Sequence, residues 1–293
     1  MKFGIGQPPR RVEEARRVSA AGGVVETYRG GVAAWECDVF AHLNIAFYAE
    51  RFADAALDRL ERSAPTQRWR TIALDTRYTR ELRAGEGIAI RSGILESSTA
   101  TVRIAHEAVD GVSGARTTTA EHTLVPLGSA PGAPLAADRF AWDRFAPFDW
   151  PTGTGRIAAG RDRIRESETE AGSLSLLAYL HRFSNACLHV IEAIGMSYAY
   201  RREAERGFAT FETRLVIDDP SAGAGEGVFA TSGVVAVGRS SLAMLHRLHA
   251  TSDRRPLARF YQAGVHFDLA ARRSSPWPDG LRDQARGFLI AGP

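Results

Sequence analysis

The chain carries one pattern twice, and this duplication constrains its fold more than any other feature. LDTRYTRELRAGEGIAIRSGIL (residues 74–95) runs from acid-Thr-Arg to Gly-Glu-Gly to Ser-Gly, and FETRLVIDDPSAGAGEGVFATSGVV (residues 211–235) does the same. In both copies the Ser-Gly begins five residues after the last glycine of the triplet, while the second copy has three extra residues ahead of its triplet. The triplets begin at Gly85 and Gly225, 140 residues apart, a spacing of domain size rather than of a solenoid. A chain of 293 residues, 44% hydrophobic, is therefore expected to fold as two related units, each able to bury a core.

Each triplet leads into segments rich in β-branched residues. IAIRSGIL, TATVRIAHEAV and GARTTTAEHTLVPL in the first copy read as strands of an antiparallel meander, as do VFATSGVV, SSLAMLHRLHAT and LARFYQAGVHFDLA in the second. One helix precedes the strands in each half. Residues 44–62 place Ile45, Tyr48, Phe52, Ala55, Ala56 and Leu60 on one face, with Glu50, Arg51, Asp54 and Asp58 opposite. Residues 173–194 align Leu176, Leu180, Phe183, Cys187, Ile191 and Ile194, and Gly195 is placed to end that helix. Between the halves, residues 129–160 are rich in proline, glycine and aromatics, as in an ordered connector, and a short helix is expected over residues 136–145. The expected class is α+β, with an N-terminal arm (1–23), a first unit (24–128), the connector (129–160) and a second unit (161–293).

Chemistry concentrates in WECDVFAHLNIAFYAERF (residues 35–52). Asn44 suits the N-cap of the first helix, since its side chain can accept from the free N–H groups of the first turn. Capping explains one residue of the run. Asp38 and His42 remain, in front of a helix terminus whose N–H groups can polarise a carbonyl oxygen and stabilise an oxyanion. A loop carboxylate facing such a terminus suits acyl transfer.

The same segment resembles the signature of hotdog-fold acyl-CoA thioesterases of the 4-hydroxybenzoyl-CoA thioesterase-like group, approximately D-x-D-x-x-G-H-x-N-x-x-x-Y. Glu36, Asp38, His42, Asn44 and Tyr48 fall in register, with Glu36 in place of the first Asp and Ala41 in place of the Gly. The Gly-Glu-Gly triplet is similar to a Gly-Asp turn that opens a strand in that family. The resemblance covers residues 24–128 and reaches the second half through the repeat. It implies two tandem hotdog domains, each a long helix wrapped by an antiparallel β-sheet, paired within one chain. It further implies hydrolysis of an acyl-CoA, with coenzyme A entering as part of the substrate and no separate cofactor. Asp38 would be nucleophile or general base, and backbone N–H groups near Asn44 and Ile45 the oxyanion hole. His42 and Asn44 would shape the loop and touch the thioester or attacking water, and Tyr48 would line the acyl pocket. Arg77, Arg80 and Arg83, near a turn, are candidates for the CoA phosphates.

Aligning the two helices sets Glu168-Thr169-Glu170 opposite Glu36-Cys37-Asp38, which makes Glu170 the second-half candidate. Setting Asn185 opposite Asn44 instead leaves Tyr179 opposite Asp38 and makes the helices unequal. In either alignment the second half lacks the full signature, so one working site, around Asp38, is expected per chain. Two rival readings remain. A non-catalytic acyl-CoA-binding or assembly protein is favoured by the incomplete second half. A hotdog enoyl-CoA hydratase or dehydratase usually carries its Asp and His in a proline-containing loop, which is missing here.

Composition narrows the rest. Lys2 is the only lysine among 37 basic residues, and the arginines alternate with acids to a net charge of +3, so a nucleic-acid surface is not expected. Cys37 and Cys187 share no metal or disulfide motif, and no metal site is expected. No apolar run approaches the roughly 18 residues of a membrane span, and the N-terminus has no apolar central region. A cytoplasmic protein without membrane contact is expected, its partner a small-molecule acyl-CoA. Free sheet edges would permit a homodimer or higher oligomer. The opening FGIGQPPRRVEEARRV is similar to the start of the large subunits of molybdenum-containing hydroxylases, but it holds no cofactor-binding residue and implies no molybdenum chemistry.

Overall fold

The computed structural model describes residues 23–38, 40–128 and 133–290, so the expected N-terminal arm lies outside the described residues except for Gly23. The first half consists of β1 (Val25–Gly31), α1 (Ile45–Glu61), β2 (Arg68–Tyr78), β3 (Gly87–Ser97), β4 (Val102–Asp110) and β5 (Arg116–Leu127). The second consists of β6 (Ile157–Arg163), β7 (Thr169–Glu170), β8 (Ser173–Leu174), α2 (Leu176–Ala193), α3 (Tyr198–Glu203), β9 (Arg206–Ile217), β10 (Gly227–Val237), β11 (Ser241–Ala250), β12 (Pro256–Asp268), β13 (Arg273–Ser274) and α4 (Asp279–Arg286). The halves share one eleven-stranded sheet, ordered β1-β3-β4-β5-β2-β9-β12-β11-β10-β6, with β13 paired to β12. Read from its two ends, this order is the same five-strand pattern run in opposite directions, so the halves are related by a pseudo-twofold through the β2–β9 pairing. The expected α+β class with two tandem units is thus present.

The repeated motif is explained piece by piece. Its acid-Thr-Arg element lies at the pseudo-twofold, where Asp75 stands opposite Arg214, Thr76 opposite Thr213 and Arg77 opposite Glu212. Reciprocal ion pairs follow, Arg214–Asp75 at 3.5 Å and Arg77–Glu212 at 3.7 Å. Gly85 and Gly225 open the turns with φ of 89° and 86°, a left-handed conformation that suits glycine. Their N–H groups donate to Val32 and Ile164 respectively, which ties each turn to its half's entry strand. The serines of Ser-Gly are fully buried, and Ser92 and Ser232 each bond Nδ1 of a buried histidine, His106 and His246, at 2.7 Å. Burial pushes both imidazoles down, His246 to about 3, so they are neutral structural partners.

The helices lie over this sheet. Asn44 caps α1 by accepting from the Ala46 N–H at 2.9 Å, and Ser175 caps α2 by accepting from Ala178 at 3.2 Å. Phe52, Ala55, Ala56 and Leu60 of α1, Phe183 of α2 and Ile194 at its C-terminal end are fully buried, as the apolar periodicity predicts. Each large side chain among them contributes roughly 1.5–3 kcal/mol on burial. Gly195, at φ 90°, ends α2 as expected. Arg51 departs from the expected solvent face. Its guanidinium is buried, and it donates to both carboxylate oxygens of Glu36, to Gly31 O and to Phe47 O. A charge can be buried there because its two terminal nitrogens find oxygens on β1, the entry loop and α1 itself, the Glu36 carboxylate among them.

The connector also departs from expectation. Residues 133–156 contain neither helix nor strand, so the short helix expected at 136–145 does not form, and β6 begins inside the stretch read as connector. The segment straps the sheet instead. The Phe145 ring lies 4.1 Å from the Arg77 guanidinium and Phe148 lies 4.9 Å from that of Arg214, while Arg214 donates to Ala146 O at 2.9 Å. Cation–π contacts and that backbone bond hold the strap over the junction of the halves, so its residues cannot close helical hydrogen bonds. Among the described residues, no helix is long and apolar enough to cross a membrane.

Candidate active site

The loop ahead of α1 is built by its own polar groups. Residues Ala34–Glu36 form a 3₁₀ turn, and the Glu36 carboxylate accepts from Ala33 N at 2.7 Å while holding Arg51. Asp38 Oδ1 then accepts from Phe40 N at 2.8 Å and His42 N at 3.0 Å, folding the loop back on itself. Ala41 completes the turn at φ 62°, in the left-handed region where the related signature has glycine. Cys37 pairs with Leu43 across the turn, and its thiol donates to Ala33 O at 3.5 Å.

His42 does not face Asp38 through its ring. Its Nε2 lies 3.2 Å from Glu81 Oε2, and Arg272 of the second half donates to the same carboxylate at 2.9 Å. Glu81 carried no signal of its own in the sequence, because it lies between the acid-Thr-Arg and Gly-Glu-Gly elements of the repeat without belonging to either, and it reaches His42 only in the fold. Asn44 spends its oxygen on the cap and donates through Nδ2 to Ser184 Oγ of α2 at 3.3 Å. The loop is thereby bonded to the opposite half. Among the described residues the Ile45 N–H has no acceptor, so the helix terminus keeps a free donor.

These groups line one cleft of about 750 Å³ between the halves, which includes Asp38, His42, Asn44, Ile45, Tyr48 and Glu81. Tyr48 is buried against Tyr78, ring centroids 5.4 Å apart, and burial pushes its phenol up to about 12, keeping it neutral. The second half supplies Ser184, Asn185, Cys187 and Ile191 from α2, Phe208 and Thr210 from β9, and Gln262 and Val265 from β12. Cys187, expected in the core, is buried, and its thiol is pushed up to about 12 by burial, so it is not a nucleophile. A second hollow of about 600 Å³ shares Asn44, Ser184 and Asn185 with the cleft and is walled by Arg163, Arg165 and Arg182.

The second-half candidate stands elsewhere. Glu168 accepts from Arg165 N at 2.8 Å and pairs with Arg182 as Glu36 does with Arg51, and Ser175 N donates to Glu168 O as Asn44 N donates to Glu36 O. Ser175, and not Asn185, is therefore the counterpart of Asn44, which agrees with the helix-based alignment. Glu170 sits on the exposed β7–β8 turn and does not line the cleft; burial, then Asp54, raises its pKa. Of the arginines assigned to phosphates, Arg77 is committed to the connector and Glu212, and Arg80 lines the cleft but pairs loosely with Glu86 and Asp110 at 3.5 and 3.6 Å. Arg83 is exposed.

A profile described as the thioesterase-like superfamily matches residues 32–151 and again residues 169–285. No curated relative matches in sequence. Among solved structures, the chain is similar to an acyl-ACP thioesterase from Bacteroides thetaiotaomicron, with TM-score 0.63 at 7% identity over 83% of this chain and 97% of that one. It is similar to a 12:0-ACP thioesterase from Umbellularia californica, with TM-score 0.60 at 12% identity over 83% and 94%. An acyl-CoA thioesterase II from Mycobacterium marinum gives TM-score 0.50 at 14% identity over 86% and 94%. At such identities these likenesses speak to the fold.

Proposed function

The chain belongs to the thioesterase-like superfamily and carries its domain twice, and from that premise we propose that it hydrolyses an acyl thioester of coenzyme A at the cleft between its halves. The observation that carries this reading is the convergence on one cleft of the Asp38 carboxylate, the His42–Glu81 pair and the Ile45 N–H, which has no acceptor among the described residues. The carbonyl oxygen of the substrate takes the Ile45 N–H, which is worth most when negative charge develops there. Asp38 keeps Oδ1 on the loop N–H groups and presents its other oxygen, either to attack the carbonyl or to draw a proton from water. In the direct route, water oxygen bonds to the carbonyl carbon, its proton passes to Asp38, the C–S bond breaks and the thiolate is protonated. His42, oriented by Glu81, is placed to give that proton. The two hollows meet at Asn44, so the acyl group occupies the larger, more apolar cleft and the CoA arm leaves past Arg163 and Arg165.

Asp38→Asn is the informative variant, because an amide oxygen can still accept from Phe40 N and His42 N and the loop survives. It should lose at least about a hundredfold in kcat, as expected for removal of a nucleophile or base. Released thiol over a panel of short, branched, aromatic and long acyl-CoAs is the readout. A folded Asp38→Asn enzyme of wild-type kcat would overturn the role of Asp38. Binding without turnover across the panel by the wild-type protein would favour a non-catalytic acyl-CoA-binding protein, a reading consistent with the loop-holding bonds Asp38 already makes.

A further inference from the structure

Besides the Tyr48 hydroxyl, two buried polar groups that line the cleft lack partners among the described residues. The Arg201 side chain, on α3, is only 11% exposed, and its nearest carboxylate, Glu192 Oε1, is 4.0 Å away. Its buried Nε has no acceptor among the described residues. Gln262, on β12, is 3% exposed; its Nε2 donates to Thr210 Oγ1 at 2.7 Å and its Oε1 is unpartnered. Arg201, Gln262 and Thr210 all line the cleft, and the Cys187 thiol lies beside both Arg201 and Gln262. A desolvated guanidinium without a close anion is costly in a folded protein, and a buried amide with a free end is a gap in an otherwise bonded interior.

Their distance from the reacting carbon can be bounded. Asn44 touches Ser184, and Ile191, further along α2, lines the cleft beside α3. The rise of an α-helix puts Ile191 about 10 Å beyond Ser184. The intervening wall includes Cys187, Ile191, Phe208 and Val265, which suits methylenes. Turning the Gln262 amide over keeps its bond to Thr210, with the hydroxyl now donating, and makes its free end an N–H donor. Resting on the thioesterase reading, we infer that this end of the cleft is an anion pocket, and that the preferred acyl group is a medium-length ω-carboxyacyl chain whose carboxylate is held by Arg201 and Gln262. Arg201 donates through Nε–H and Gln262 through its amide, a charge-assisted arrangement that a terminal methyl cannot satisfy.

The test compares suberoyl-CoA with octanoyl-CoA, equal in length, on wild-type protein, Arg201→Leu and Gln262→Leu. The wild type should favour suberoyl-CoA in kcat/KM. Arg201→Leu should lower the suberoyl-to-octanoyl ratio by about tenfold to a hundredfold, the loss expected for hydrogen bonds to a charged group. Gln262→Leu, on a different element, should lower the same ratio and covers the case in which Arg201→Leu does not fold. A wild-type preference for octanoyl-CoA, or ratios unchanged in both variants, overturns the inference while leaving the hydrolase reading standing. If the wild type cleaves neither ester, the hydrolase reading fails, and calorimetry with the S-carboxyheptyl and S-octyl thioethers of coenzyme A decides the pocket. Selective loss of the carboxylated thioether in Arg201→Leu supports it; equal affinities in wild type and variant refute it.

Discussion

Replacing Glu36 by alanine isolates the energetic logic of the site's foundation, because the repeat supplies its own control. The Glu36 side chain is 8% exposed and its partner Arg51 4%. Both Glu36 oxygens take Arg51 Nη2, at 3.0 and 2.8 Å, and one also takes the Ala33 N–H. Removing the carboxylate strands a buried guanidinium, whose remaining partners, Gly31 O and Phe47 O, carry no charge. Breaking a buried pair in this way costs about 3–5 kcal/mol. The equivalent Glu168 side chain is 30% exposed, and Arg182 keeps a second carboxylate, Asp162, at 3.1 Å. Glu168→Ala should therefore cost only about 1 kcal/mol, the scale of a partly solvated pair that retains an alternative partner. Urea titration followed by tryptophan fluorescence reads both, with the slope compared to confirm that the transition itself is unchanged. Equal losses in the two variants, or a loss below about 1 kcal/mol for Glu36→Ala, would refute the argument that burial rather than pairing sets the cost.

Two further outcomes test other parts of the molecule. Burial raises the Asp75 carboxyl to about 6, against which Arg214 gives partial relief. Between about pH 4 and pH 6 the folded state then holds a proton that the unfolded state has released, so stability falls as pH rises through that window. Asp75→Asn should be the more stable protein at pH 7 by roughly 3 kcal/mol and equal to wild type near pH 3; a variant-minus-wild-type difference flat in pH would refute the shift. Ala41 holds a left-handed conformation. Ala41→Gly should stabilise the fold by about 0.5–1 kcal/mol, relief of the Cβ strain exceeding the added freedom of the unfolded chain, and thermal denaturation showing a lower melting temperature would contradict it.

The sequence by itself determined what depends on near neighbours. The duplication, the helix faces of Phe52 and Phe183, the cap at Asn44 and the glycine turns at Gly85 and Gly225 are local matters of spacing and backbone freedom, and all were legible. So was the loop that carries Asp38, His42 and Asn44, because its signature is continuous in the chain. Tertiary structure decided whatever depends on distant partners. Arg51 reads as a surface residue in the helical pattern and is buried only because Glu36, fifteen residues earlier, folds over it. Nothing local links Glu81 to His42, or Arg201 to Gln262; each pair reaches the same cleft only once the elements of its own half pack together. The repeat itself announced two units but not that Asp75-Thr76-Arg77 would lie against its own copy. That antiparallel pairing brings the first helix's N-terminus against the middle of the second helix, and the cleft forms where the halves meet, with Arg272 of the second reaching Glu81 of the first.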